Sequence, residues 1–168
     1  MTNAANRHLY MGKTKAENIA QGYVRNEQRW QEQAEGAAFF NLLWNADVPH
    51  IALENPVMNG NAVKLVGGAA TQFVQPYQFG TPESKRTGLR LKNLPPLVQH
   101  ADAAEVEAYG RTLPAKVFQR VHHLPPSPDR WKERSRTFPG LAQAMADQWG
   151  PLLEARKAAG PAARLVTA

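Results

Sequence analysis

The run from Arg25 to Ala46 constrains the fold more than any other part of the chain. It holds no proline and one glycine, and it is rich in Gln, Glu and Ala. Proline inside a helix removes a hydrogen bond and clashes with the preceding turn, so a run of this length without it predicts the longest helix of the protein. Trp30, Ala34, Ala37, Ala38 and Leu42 fall at three- and four-residue steps on one face, whereas Glu27, Arg29, Gln31, Glu32 and Glu35 lie largely elsewhere. Trp30, Phe39, Phe40 and Trp44 are expected in the core.

Beyond this run, prolines cut the chain into shorter pieces. His50-Ile51-Ala52-Leu53-Glu54 is an apolar stretch closed by Asn55-Pro56, and Pro56 holds Asn55 extended. It reads as a buried strand, apolar enough to be central in a sheet. Val63 to Val66 leads to a Gly67-Gly68 turn and then to Thr71–Phe79, whose aromatic and β-branched residues predict a strand that Pro76 assigns to an edge or a strand end. Arg86 to Leu91 alternates polar and apolar residues and reads as its hairpin partner, stopped at Asn93-Leu94-Pro95-Pro96. Residues 97–114 show no period, and Lys116 to Val121 suggests a further short strand.

Ser127-Pro128-Asp129 and Thr137 with Pro139 are helix starts. Leu141, Met145 and Trp149 form a stripe after the second, Gly150-Pro151 is expected to end that helix, and Ala158–Ala168 to fray. The chain of 168 residues is thus expected to be one α/β domain over residues 1–150, followed by a short helix and tail over 151–168.

The formal charge of +6 is unevenly placed. Residues 1–83 carry 6 basic and 7 acidic groups, residues 84–136 carry 11 and 5, and residues 137–168 carry 3 and 2. A basic segment beside a neutral body suits a phosphate-contacting face, and it equally suits a solvated surface that maintains solubility. There is no cysteine, which removes disulfides, thiolate metal sites and nucleophilic attack by a thiol of this chain. His8, His50, His100 and the His122-His123 pair lack the spacing of a metal site, and no glycine-rich phosphate loop is present. No stretch approaches the length of a membrane span, and Met1 to Arg7 lacks the apolar core of a signal peptide, so the chain reads as cytoplasmic with no membrane partner.

Two groups of residues could carry function. Glu54, Asn55 and Pro56 stand at the end of a strand, where a carboxylate could accept from an exocyclic amine of a base and an amide could donate and accept; a cap or an ion pair is the plainer use of Glu54. Arg130, Lys132, Arg134 and Arg136 put four cations into seven residues around Trp131, a cationic strip with a ring that could stack on a base. Lys85 and Arg86 extend the same basic segment.

Three segments taken together resemble a known family: Ile51-Ala52-Leu53-Glu54-Asn55-Pro56-Val57; Gln75-Pro76-Tyr77-Gln78-Phe79-Gly80 with Glu83-Ser84-Lys85-Arg86-Thr87; and Ser127-Pro128-Asp129-Arg130-Trp131-Lys132-Glu133-Arg134-Ser135-Arg136-Thr137. They resemble the C-terminal half of phage and prophage DNA cytosine methyltransferases. The resemblance implies an incomplete Rossmann-like methyltransferase half-domain, with a mixed sheet, a C-terminal hairpin and flanking helices. It implies a base contact at Glu54, Asn55 and Pro56, S-adenosylmethionine as the cofactor of full-length relatives, and a bacterial host cell as the setting.

Relatives carry a cofactor-binding half and a Pro-Pro-Cys step that would precede Met1 to Asn6, and a cysteine where Gly88 stands. The expectation is therefore a chain that binds no cofactor alone and is inactive alone. It would bind DNA or be completed by a second methyltransferase half, with a homodimer through the sheet edge as another possibility. The alternative is a non-enzymatic protein that acts on a host nucleoprotein, a defence inhibitor such as an anti-CRISPR.

Overall fold

The computed structural model describes residues 9–10 and 25–158, the last three by backbone alone. The expectations for Met1 to Asn6, His8 and the tail beyond Ala158 lie outside the described residues. The protein is mixed α/β, with helices and a small antiparallel sheet of three strands in the order β1-β3-β2. Its elements are α1 (Glu27–Trp44), β1 (Ile51–Pro56), α2 (Gly60–Leu65), β2 (Gln72–Val74), a 3-10 helix (Pro76–Phe79), β3 (Thr87–Lys92), α3 (Ala103–Thr112), α4 (Ala115–Phe118), α5 (Arg130–Ser135) and α6 (Pro139–Ala158). They group into two compact units, residues 9–10, 25–73 and 87–93 in the first and residues 74–86 and 94–158 in the second.

In the first unit α1 starts where Asn26 accepts from the Arg29 amide, a side-chain cap for a helix-terminal N–H. Its buried face is Gln33, Ala37 and Phe40, with Trp44 half-buried, one step round from the predicted face. Phe39 is 63% and Leu42 70% exposed, against the expectation that Phe39 is core. A polar bond sets the rotation: Asn59 donates to Gln33 at 3.1 Å while its Oδ1 caps α2 at the Ala62 amide, 2.8 Å. Phe40 and Ala37 then pack with Val66, Trp44, Leu53 and Met58.

β1 pairs antiparallel with β3, with Leu53 opposite Arg90 and Asn55 opposite Gly88. β1 is an edge strand among the described residues, with burial that alternates along it; the central strand is β3, where Leu89 is fully buried. The expectation of a central, buried β1 fails because one of its faces, Ala52, Glu54 and Pro56, is exposed, and the apolar Ala52 between Ile51 and Leu53 hides that alternation in the sequence. The strand expected over Thr71–Phe79 is three residues long, and Pro76 starts a 3-10 turn that ends at Gly80 in left-handed geometry.

The second unit is built around Phe79, Phe118, Phe138, Leu141 and Trp149, all buried. Gly140 lies so close to the Phe79 carbonyl that any side chain there would run into it. Gln148 clasps the extended segment before α3 by donating to the Val98 carbonyl and accepting from its amide, at 2.9 and 2.8 Å, and Trp149 donates to the Pro95 carbonyl at 3.0 Å. The short strand expected at Lys116 to Val121 is instead the single turn α4, fixed by Val117 and Phe118 amides donating to the Pro114 carbonyl. α6 continues through Pro151 to Ala158 rather than ending at Gly150-Pro151.

Candidate nucleic-acid interface

α5 begins after Ser127-Pro128-Asp129 as the sequence predicts, and none of its residues is buried. Asp129 makes no cap hydrogen bond through its side chain; its carboxylate pairs with Lys132 at 2.8 Å, and Glu133 pairs with Arg136 at 3.6 Å. These pairs are solvent-exposed and contribute little to stability, but each neutralises a cation on the strip. Arg130 and Arg134 pair with no carboxylate among the described residues, and their spacing of four places both on one side of the helix. The Arg130 Nε is buried with no hydrogen-bond partner, and Trp131 beside it is 66% exposed.

Lys85 and Arg86 do not join this pair as equals. Lys85 donates to the Arg134 carbonyl at 2.9 Å and lies 5.8 Å from the Phe138 ring centre, so it closes the C-terminal end of α5, where a cation suits the carbonyl ends of the helix. Arg86 is exposed. The basic segment read along the sequence is also divided, because Arg90 and Lys92 belong to the first unit.

The other candidate group is separated by strand geometry. Side chains alternate across a strand, so Glu54 and Pro56 share the exposed face of β1 while Asn55 faces the opposite side with Ile51 and Leu53. Glu54 and Asn55 therefore cannot both read one base edge from this strand. Asn55 opens into a small apolar cleft of about 40 Å³ with Phe40, Met58, Phe73 and Gly88 on its walls, and the Asn55 Nδ2 is buried there without a partner.

Gly88 is required by close approach: a Cβ there would come within 2.9 Å of the Ala70 Cβ and 3.3 Å of the Asn55 carbonyl. Arg90 was not singled out by the sequence. Its guanidinium donates to the carbonyls of Val66, Gly67 and Gly68 and lies 4.3 Å from the centre of the Trp44 ring. Its partners sit more than twenty residues away, so no local signal marks it.

The Gly67-Gly68 turn is not an anion-binding loop. Gly67 and Gly68 follow a helix rather than a strand, and their turn presents carbonyls to the Arg90 guanidinium rather than a cradle of amides to an acidic ligand. No group of His, Asp and Glu suited to a metal ion occurs among the described residues, and no helix there is long and apolar enough to cross a membrane. Comparison with protein-family models, curated proteins and solved structures finds no match to this chain.

Proposed function

We propose that this chain binds nucleic acid through the exposed side of α5, as a methyltransferase-like α/β protein that does not itself transfer a methyl group. The observation that carries the reading is the Arg130 and Arg134 pair, left without carboxylate partners beside the exposed Trp131. Guanidinium groups suit phosphate because their planar donors can engage two oxygens at once, and an indole can stack on any base. Such interactions are sequence-tolerant and salt-dependent. The Rossmann-like relationship rests on the three sequence segments that resemble DNA cytosine methyltransferases.

Titration of the protein with single- and double-stranded DNA at two salt concentrations tests the reading. Replacing Arg130 and Arg134 together by Gln is expected to weaken binding and to lower the slope of log affinity against log salt by about 0.7 to 0.9 for each phosphate that is no longer neutralised. Unchanged affinity and slope would exclude this face. An acidic protein surface as the true ligand would appear as binding to a nucleoprotein that the same variant abolishes and that free DNA does not compete for.

No methyl transfer is expected from this chain. Attack on a cytosine ring by a cysteine needs a thiol, and the 168 residues contain none. Incubation with labelled S-adenosylmethionine and mixed-sequence DNA should leave incorporation at the level of a protein-free control, and incorporation above it would overturn the non-enzymatic part of the reading.

A further inference from the structure

α5 is six residues long, and none of its residues is buried. An isolated helix of that length is unstable in water, because fixing its first turn costs more conformational entropy than one hydrogen bond returns. Its start has no side-chain cap, and the ion pairs along it are exposed and contribute little. The helical form therefore depends on ties from outside. Lys85 supplies one, its ammonium donating to the Arg134 carbonyl at 2.9 Å with the Phe138 ring centre 5.8 Å away. Lys85 is itself held in place. Its amide donates to the Gln75 Oε1 at 2.9 Å, and the Gln75 amide donates to the Gln78 side chain at 2.7 Å across the start of the 3-10 helix. A single side chain thus fastens the last turn of α5 to the 3-10 helix, while the Ser135 hydroxyl donates to the neighbouring Lys132 carbonyl at 2.9 Å.

We infer that Lys85 is a positioning residue: it keeps α5 helical, and so holds Arg130 and Arg134 one turn apart on one side, without itself touching the ligand. What the two arginines bind rests on the nucleic-acid reading above; the dependence of the helix on Lys85 does not. When a binding-competent form is only partly populated, apparent affinity falls with that population. Removing the tie should therefore weaken binding without removing a phosphate contact.

The test uses the full chain and its Lys85→Met and Lys85→Arg variants. Methionine keeps an unbranched stem beside Phe138 and removes the donors, whereas arginine restores a charged donor. Backbone carbon chemical shifts report the helix population of residues 130–135, with those of α6 as the internal reference, and titration with single-stranded DNA at two salt concentrations gives affinity and salt slope. In Lys85→Met the helical shifts of α5 are expected to fall by about half or more while those of α6 stay unchanged. DNA affinity is expected to drop about threefold to tenfold with the salt slope unaltered, and Lys85→Arg is expected to recover most of both.

Loss of the α5 shifts in Lys85→Met, with no DNA binding by the parent chain, would support the tie and overturn the nucleic-acid reading. Unchanged α5 shifts would overturn the inference and leave that reading intact, and a salt slope lowered by about 0.7 to 0.9 in the same variant would make Lys85 a phosphate contact instead. Loss of the α6 shifts as well would mean that Lys85 supports the whole unit rather than α5, which also overturns the inference. Lost α5 shifts with unchanged DNA affinity would overturn both.

Discussion

In the first unit the arginine of the central strand turns inward. Arg90 gathers three backbone carbonyls of the Val66–Gly68 turn and covers the Trp44 ring, so its charge is consumed by the protein itself. In the second unit Arg134 is exposed and its guanidinium has no carboxylate partner among the described residues, although its own backbone carbonyl is tied to Lys85. One side chain is structural and the other is available to a ligand, and the difference lies in what surrounds each rather than in the residue. A count of basic residues along the chain treats the two as equal.

Replacing each arginine by alanine tests that contrast most directly. Arg90→Ala removes a charged donor from carbonyls in a partly buried turn and uncovers Trp44, and is expected to cost about 3 kcal/mol in denaturant unfolding. Arg134→Ala is expected to stay within about 0.5 kcal/mol of the parent while weakening DNA binding. If the two stability losses were equal, the division into an inward and an outward arginine would fail.

A second contrast uses glycines. Gly140→Val drives a side chain into the Phe79 carbonyl and is expected to destabilise by about 2 to 3 kcal/mol. Gly60→Ala in the first unit meets nothing within 4 Å and is expected to change stability by less than about 0.5 kcal/mol. Thermal unfolding of both variants decides this, and a tolerated valine would mean that the α6 start and the 3-10 helix can move apart freely.

The smallest effect separates the units by pH. The first unit buries neutral amides at Gln33 and Asn59, whereas the second shelters a phenol at Tyr77. Burial, and after it the Glu107 carboxylate, pushes the Tyr77 hydroxyl above its ordinary value. The folded state thus holds this proton more tightly than the unfolded chain does, so the contribution of Tyr77 is full below about pH 10 and declines as the pH rises further. Tyr77→Phe should flatten the alkaline loss of stability measured by denaturant unfolding at pH 8 and again near the top of the range. Identical losses in parent and variant would place that sensitivity on another group.

Much of the local structure was legible from residues alone. The proline-free run became α1, the alternation at Arg86 to Leu91 became β3, and Ser127-Pro128-Asp129 started α5. The rotation of α1 was not legible, because it depends on the polar Gln33 finding Asn59, and a search for an apolar stripe passes over a glutamine. α4 was mistaken for a strand because Val117 and Phe118 have strand character, while the bonds to the Pro114 carbonyl that fix the turn leave no mark in composition. At the candidate interface the cations of α5 were visible in the sequence. Their pairing with Asp129 and Glu133, the tethering of Lys85, and the opposite faces of Glu54 and Asn55 are properties of geometry.

The chain enters the second unit at Val74, returns to the first at Thr87, and leaves again after Asn93. The two units are therefore interleaved along the sequence rather than strung in series, and β3, the middle strand of the sheet, lies between the second and third crossings. No single cut of the backbone yields either unit whole: a fragment beginning at Leu94 lacks the 3-10 helix against which Gly140 closes, and one ending at Phe73 lacks the strand that β1 pairs with. Dissection by truncation would thus damage both halves at once, and point substitutions or a circular permutation are the way to separate their roles.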